Sequence, residues 1–142
     1  MTAPVLSGPA FSKSFKVLAI ALSGALIAWS LMLPIDFFSK SGLWVAAAHA
    51  LILYTVWYIQ ISVTSLDSVQ IKQTWIWNKS MNLNDMAYLK IIHVSSLSWL
   101  IAPRVYARTM MGKFAVFYTN SPEVLNALYA LEAKLKADRQ AF

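Results

Sequence analysis

His49 is the one residue between the ends of two long apolar runs that can change charge near neutrality. An imidazole in that setting has three chemistries open to it. It could ligate a haem iron, relay protons, or hydrogen-bond to a neighbouring helix. The first needs a second axial ligand, and the runs place no other His for it. Met32 lies at a similar depth, but a lone methionine suits packing. The third needs only a carbonyl, Ser23 or Ser30 on the facing run. His49 is thus first a helix-packing group and second a cofactor ligand, the basis of an electron-transfer alternative.

The other groups capable of chemistry do not assemble. His93 has no Cys or acidic neighbour at metal-ligand spacing. The six acids, Asp36, Asp67, Asp85, Glu123, Glu132 and Asp138, are scattered, and none forms a pair spaced for acid–base work. There is no cysteine, so disulfides and thiolate sites are excluded. Glycine totals 4, too few for a phosphate-cradling loop. The expectation is a protein that is not an enzyme and carries no cofactor or metal. What remains is a basic set, Lys72, Lys79, Lys90, Arg104, Arg108 and Lys113, all after the apolar runs. These suit lipid headgroups or an acidic partner surface. No Lys/Arg block points to nucleic acid.

The elements that would position these residues follow from composition. Of 142 residues 58% are hydrophobic and 13% charged, with a formal charge of +6. Soluble domains average about 25% charged. Residues 17–35 and 43–61 carry no charge. At 1.5 Å rise each covers about 28 Å, close to the ~30 Å hydrocarbon thickness. They predict two transmembrane helices joined by a short loop, "DFFSKSG". Lys13 and Lys16 precede the first span, Lys40 stands beside Asp36 in the loop, and nine more Lys/Arg follow the second. The positive-inside rule then places both termini in the cytoplasm of a multi-pass protein of a bacterial inner membrane. Small residues favour close helix approach. Ala21 with Ala25, Gly24 with Ala28, and Ala47 with Ala50 are expected to pack the spans on each other or on another subunit.

After Ile61 the pattern changes. Along "SVQIKQTWIW", Val69, Ile71, Gln73, Trp75 and Trp77 fall on one side of an alternating strand. "NKS" is a turn signal, and "MMGK" predicts a hairpin turn with Gly112 at the unusual backbone angle. Asn120 or Ser121, Pro122 and Glu123 open a helix over about 121–137. Its apolar face is Val124, Leu125, Leu128, Leu131 and Leu135, and "KADRQAF" is expected to fray. The organisation is a tail and hairpin over 1–61 and a sheet-and-helix unit over 62–142.

Three segments carry a resemblance. "VQIKQTWIWNKSMNLNDMAYLKII" is similar to a strand, turn and acidic box of the bacterial pleckstrin-homology (PH) domain. "GKFAVFYT" resembles its penultimate strand, and "NSPEVLNAL" its helix start. The segment "APRVYAR" is shorter in arginine and glycine than the family pattern. The resemblance implies an α+β membrane protein: a two-helix transmembrane hairpin followed by a small PH-like antiparallel sheet or barrel closed by a C-terminal helix. It further implies a non-catalytic accessory or assembly subunit of a larger membrane complex, such as a photosynthetic or respiratory one, binding other integral-membrane subunits. The alternative expectation is a membrane-anchored module for anionic lipid.

Overall fold

The structure, a computed structural model, describes residues 4–141. It is an α+β protein with two apolar helices, two antiparallel sheets and a C-terminal helix. Helix α1 covers Lys13–Leu31 and α2 covers Lys40–Ile61. Both are long and apolar enough to cross a membrane. Each starts three or four residues earlier than the uncharged runs, because a serine cap sits just before a lysine. Ser12 accepts from Phe15 N at 3.2 Å, and Ser39 accepts from Gly42 N at 3.1 Å. Helix α1 ends at Leu31, short of the expected Ile35. Pro34 explains the difference, since the residue before a proline is pushed out of helical geometry.

The turn between the helices is closed on Gly42. A Cβ there would lie 2.3 Å from Asp36 O and 2.4 Å from Phe37 Cα, so only glycine lets α2 pass the turn at this distance. Asp36 also accepts from Phe38 N at 3.0 Å.

The first strand precedes the helices. Strand β1, Leu6–Pro9, pairs antiparallel with β2, Val63–Leu66, so residues 6 and 66 are neighbours across the sheet. Residues expected to be part of a tail are therefore an edge strand, and the division at residue 61 cuts through a sheet. Strand β3, Gln70–Thr74, pairs with β2, and β4, Lys79–Asn82, pairs with β3. The order is β1-β2-β3-β4. The second sheet is β5-β6-β7, built from Met86–Ile92, Arg104–Thr109 and Phe114–Tyr118. Helix α3, Pro122–Gln140, packs on β5 and on β1.

The expected alternation from Val69 to Trp77 holds only in its middle. Ile71 and Gln73 are buried, whereas Val69 is exposed and Trp77 is 72% exposed. The chain reverses at Asp67–Val69, where Asp67 N donates to Gln70 O at 2.9 Å. It reverses again at Trp75–Asn78, so alternation cannot continue across either turn. Lys79 and Ser80, expected in a turn, begin β4. Gly112 has φ +84 in the β6–β7 turn, as expected. Helix α3 runs to Gln140 rather than fraying near 137, and Arg139 closes its last turn by donating to Leu135 O at 3.2 Å.

The main core lies between the sheets and α3. Leu66, Ile71 and Met81 from one sheet meet Met86, Leu89, Val105 and Phe117 from the other, closed by Val124 and Leu128. Two buried polar side chains stitch the sheets together. Gln73 Oε1 accepts from Tyr118 N at 3.2 Å, and Thr64 Oγ1 donates to Tyr118 O. Both backbone groups of Tyr118 are thus satisfied across the gap between the sheets.

Candidate functional site at the helix–sheet junction

A second, smaller core forms where α1 and α2 meet the sheets. Ala10, Phe11 and Ile59 are buried there, packed by Phe15, Ala19, Trp75 and Tyr118. Phe11 is the hub. Its ring lies 5.3 Å from that of Phe15, 5.5 Å from Tyr118 and 5.9 Å from Trp75. Edge-on and offset arrangements at such separations are the favoured aromatic geometries.

Hydrogen bonds run through this junction between segments far apart in the chain. Ala10 N donates to Ser62 O at 3.1 Å, and Asn120 N donates to Pro9 O at 2.9 Å. The buried Ser12 hydroxyl donates to Leu100 O at 2.8 Å, tying the start of α1 to the loop before β6. Lys16 Nζ donates to Gln60 O at 2.8 Å, and Gln60 Nε2 donates back to Lys16 O at 3.1 Å. Gly8 permits the approach of β1 to α3, since a Cβ there would lie 2.3 Å from Ser121 Cβ.

Beside this cluster opens a cavity of about 310 Å³. Phe11, Phe15, Ile59, Trp75 and Tyr118 form its walls, with Leu100–Ala102, and Arg104 is the one charged residue lining it. A groove between α1 and α2, of about 430 Å³, is lined by Leu18, Leu22, Leu26, Leu51 and Thr55. Cavity and groove share Phe15 and Ile59. The Trp75 indole N–H is buried with no acceptor. Beside that ring, Lys79 Nζ lies 5.3 Å from its centroid and donates to Val116 O at 3.2 Å. Burial holds the Lys79 ammonium below the usual lysine range.

The basic residues singled out in the sequence separate into two groups. Strand register puts Arg104, Tyr106 and Arg108 on the outward face of β6, between Ile92, Lys90 and Tyr88 on β5 and Tyr118, Val116 and Phe114 on β7. Lys113 follows Gly112 in the β6–β7 turn, where its carbonyl accepts from Thr109 N at 2.8 Å, and Lys79 approaches the face through Val116 O. Lys72 lies apart, exposed on β3 of the other sheet. Among the described residues the one ion pair is Lys136–Glu132 at 3.7 Å. Among the described residues no carboxylate lies within ion-pair distance of the basic face of the second sheet.

His49 faces α1. Its Nε2 lies 2.6 Å from Ser30 Oγ, and Ser30 Oγ also donates to Ile27 O at 2.8 Å. The hydroxyl has one proton. Given to Ile27 O, it leaves His49 Nε2 as the donor. Of the partners expected for this imidazole, Ser30 is the one it reaches. His93 is exposed near the start of the loop that leads to β6.

The small residues lie elsewhere. The facing surfaces of the hairpin use Phe15, Ala19, Ser23, Ile27 and Ser30 against Val45, His49, Ile52, Val56 and Ile59, all partly or fully shielded. Ala21, Gly24, Ala25 and Ala28 on α1, and Ala47 and Ala50 on α2, are exposed. A Cβ on Gly24 would meet nothing within 4 Å. They do not pack the two helices on each other, because they fall on the other side of each helix.

Phe11, Ser12, Lys16 and Gln60 went unread as site residues in the sequence. Their one local signal is Ser12, a capping residue type ahead of an apolar run. Comparison with protein-family models, curated proteins and solved structures finds no match to this chain.

Proposed function

We propose that this chain is a non-catalytic accessory or assembly subunit of a larger bacterial inner-membrane complex, of the photosynthetic or respiratory kind. In this reading α1 and α2 cross the bilayer, both termini are cytoplasmic, and β1–β7 with α3 form a PH-like unit. Four strands, then three, then one closing helix support the PH-like part. The helical hairpin would be an insertion between its first two strands. The lysine distribution supports the orientation.

The observation that carries the subunit reading is the exposed small-residue face. Gly24 with Ala28, and Ala21 with Ala25, present a close-approach surface that the chain's own second helix leaves uncovered. In lipid, helices associate by packing that lipid tails cannot match, and small residues permit it. Gly24→Leu with Ala28→Leu keeps length and apolarity, and a Cβ at Gly24 meets nothing within 4 Å. The double variant should insert normally and lose its co-purifying membrane partner. Full recovery of the partner at equal membrane levels would overturn the reading.

A second reading is a membrane-anchored module for anionic lipid, favoured by the face of Lys90, Arg104 and Arg108, which has no ion-pair partner among the described residues. Basic residues near an anionic leaflet contribute about 1 kcal/mol each. A monomer retaining bound lipid, with no protein partner, supports it. Electron transfer through His49 requires the imidazole to exchange Ser30 for a metal, and a visible absorption spectrum tests that.

A further inference from the structure

We propose that the junction cavity holds one acyl chain of an anionic phospholipid whose phosphate is met by Arg104. The inference rests on the bilayer-crossing reading of α1 and α2 and deepens it, by naming a site and a ligand class.

The cavity is not an isolated void. It adjoins the groove between α1 and α2, and Phe15 and Ile59 line both. The groove, along Leu18, Leu22 and Leu51, faces the space around the two apolar helices, so a lipid lying there needs only a side-chain shift of Phe15 or Ile59 to reach the cavity. With the hairpin in a bilayer, that space is filled by acyl chains. The walls offer aromatic and aliphatic surface, which suits a hydrocarbon and not a polar solute. A volume of about 310 Å³ sits at the small end of ligand pockets, which run from ~300 to 1,000 Å³. It suits part of one chain, with the remainder of the lipid in the groove.

The charge at the site selects the headgroup. Arg104 is exposed at the start of β6, beside Ile92 and Tyr118, and has no carboxylate partner among the described residues. A guanidinium presents a planar fork of donors matched to phosphate oxygens. The Trp75 indole N–H, buried without an acceptor, belongs to the same wall. The ester carbonyls of a glycerophospholipid are acceptors of the kind it lacks.

The test uses the full chain in mild detergent, exchanged into nanodiscs of phosphatidylglycerol or phosphatidylcholine, then released for native mass spectrometry. Wild type should retain one phosphatidylglycerol in preference to phosphatidylcholine by about fivefold or more, the effect of one basic contact with anionic lipid. Arg104→Gln should lose that preference while still folding. Lys134→Gln, exposed on α3, removes the same charge elsewhere and should leave the preference intact. Ile101→Trp, which narrows the cavity, should reduce retention of both lipids. Equal retention of the two lipids by wild type, or equal effects of Arg104→Gln and Lys134→Gln, overturns the inference while leaving the bilayer reading standing. Loss of a protein partner by Arg104→Gln with lipid retention unchanged overturns it too, and assigns Arg104 to a protein surface. Extraction of the chain from membranes by alkaline carbonate overturns the bilayer reading itself, and this inference with it.

Discussion

Lys16 and Gln60 exchange hydrogen bonds in both directions, each side chain donating to the other's backbone carbonyl. They are 44 residues apart, one near the start of α1 and one near the end of α2. The last turns of helices leave carbonyls unsatisfied, and the Lys16 ammonium takes up that of Gln60. The hairpin thus arrives at the sheets as a locked pair, and Ser12 fastens it to the loop before β6. Helices and sheets are joined by side-chain hydrogen bonds at this point.

Breaking half of this exchange should be measurable. Gln60→Met removes the bond to Lys16 O and keeps the apolar contacts. A net loss of about 0.5–1.5 kcal/mol is expected. In a chain of this size that lowers the thermal midpoint by several degrees. A midpoint unchanged in mild detergent would show that the exchange is not maintained in solution.

The core of the sheet unit is more demanding. Leu128 is fully buried with Val124 between α3 and the sheets. Leu128→Asp places an unpaired carboxylate there and should cost several kcal/mol, comparable to the stability of a small domain. Protease should then digest the sheet unit while the hairpin stays membrane-associated. Resistance equal to wild type would mean that α3 does not pack as described.

Orientation is testable because the chain has no cysteine to remove. Phe38 is 98% exposed in the turn between the helices and Met111 is 97% exposed in the β6–β7 turn. With an impermeant thiol reagent on intact cells, Phe38→Cys should label and Met111→Cys should not. The reverse pattern would invert the proposed topology.

The His49–Ser30 pair should couple weakly. Interhelical hydrogen bonds in membranes average about 0.6 kcal/mol and reach about 1.7. Ser30→Ala and His49→Leu should each destabilise the hairpin, and the double variant should cost less than the sum. Strict additivity in thermal unfolding would show that the pair does not interact.

Lys79 links stability to pH. Burial lowers its folded pKa beneath the unfolded value of about 10.4. Below the folded pKa both states are charged, and the desolvation cost is fully present. Above the unfolded pKa both are neutral and the cost is gone. Stability of wild type relative to Lys79→Met should therefore rise as pH increases towards and through that window. Thermal midpoints of both proteins at pH 8 and pH 10.5 check this. A relative fall for wild type would mean that the Trp75 contact with the ammonium outweighs its desolvation.

The sequence by itself determined the local elements. Two uncharged runs of about 19 residues are long for strands and read as helices, which they are. Gly112 at an obligatory positive φ and Ser121-Pro122-Glu123 at a helix start are likewise short-range signals, and both hold. Residue type on the facing run narrowed His49's partner to a carbonyl, Ser23 or Ser30, and packing selected Ser30. Tertiary structure alone decided what lies far apart in the chain. Leu6–Pro9 has a glycine and a proline and no strand propensity of its own; it becomes β1 because β2 offers an unpaired edge 57 residues away. The rotation of α1 against α2 could not be read from small residues, because both faces of each helix are apolar and periodicity does not rank them. Packing against Phe11, Trp75 and the β6 loop sets that rotation. It turns Gly24 and Ala28 outward and sets Phe15 and Ile59 between the helix groove and the cavity beside Arg104.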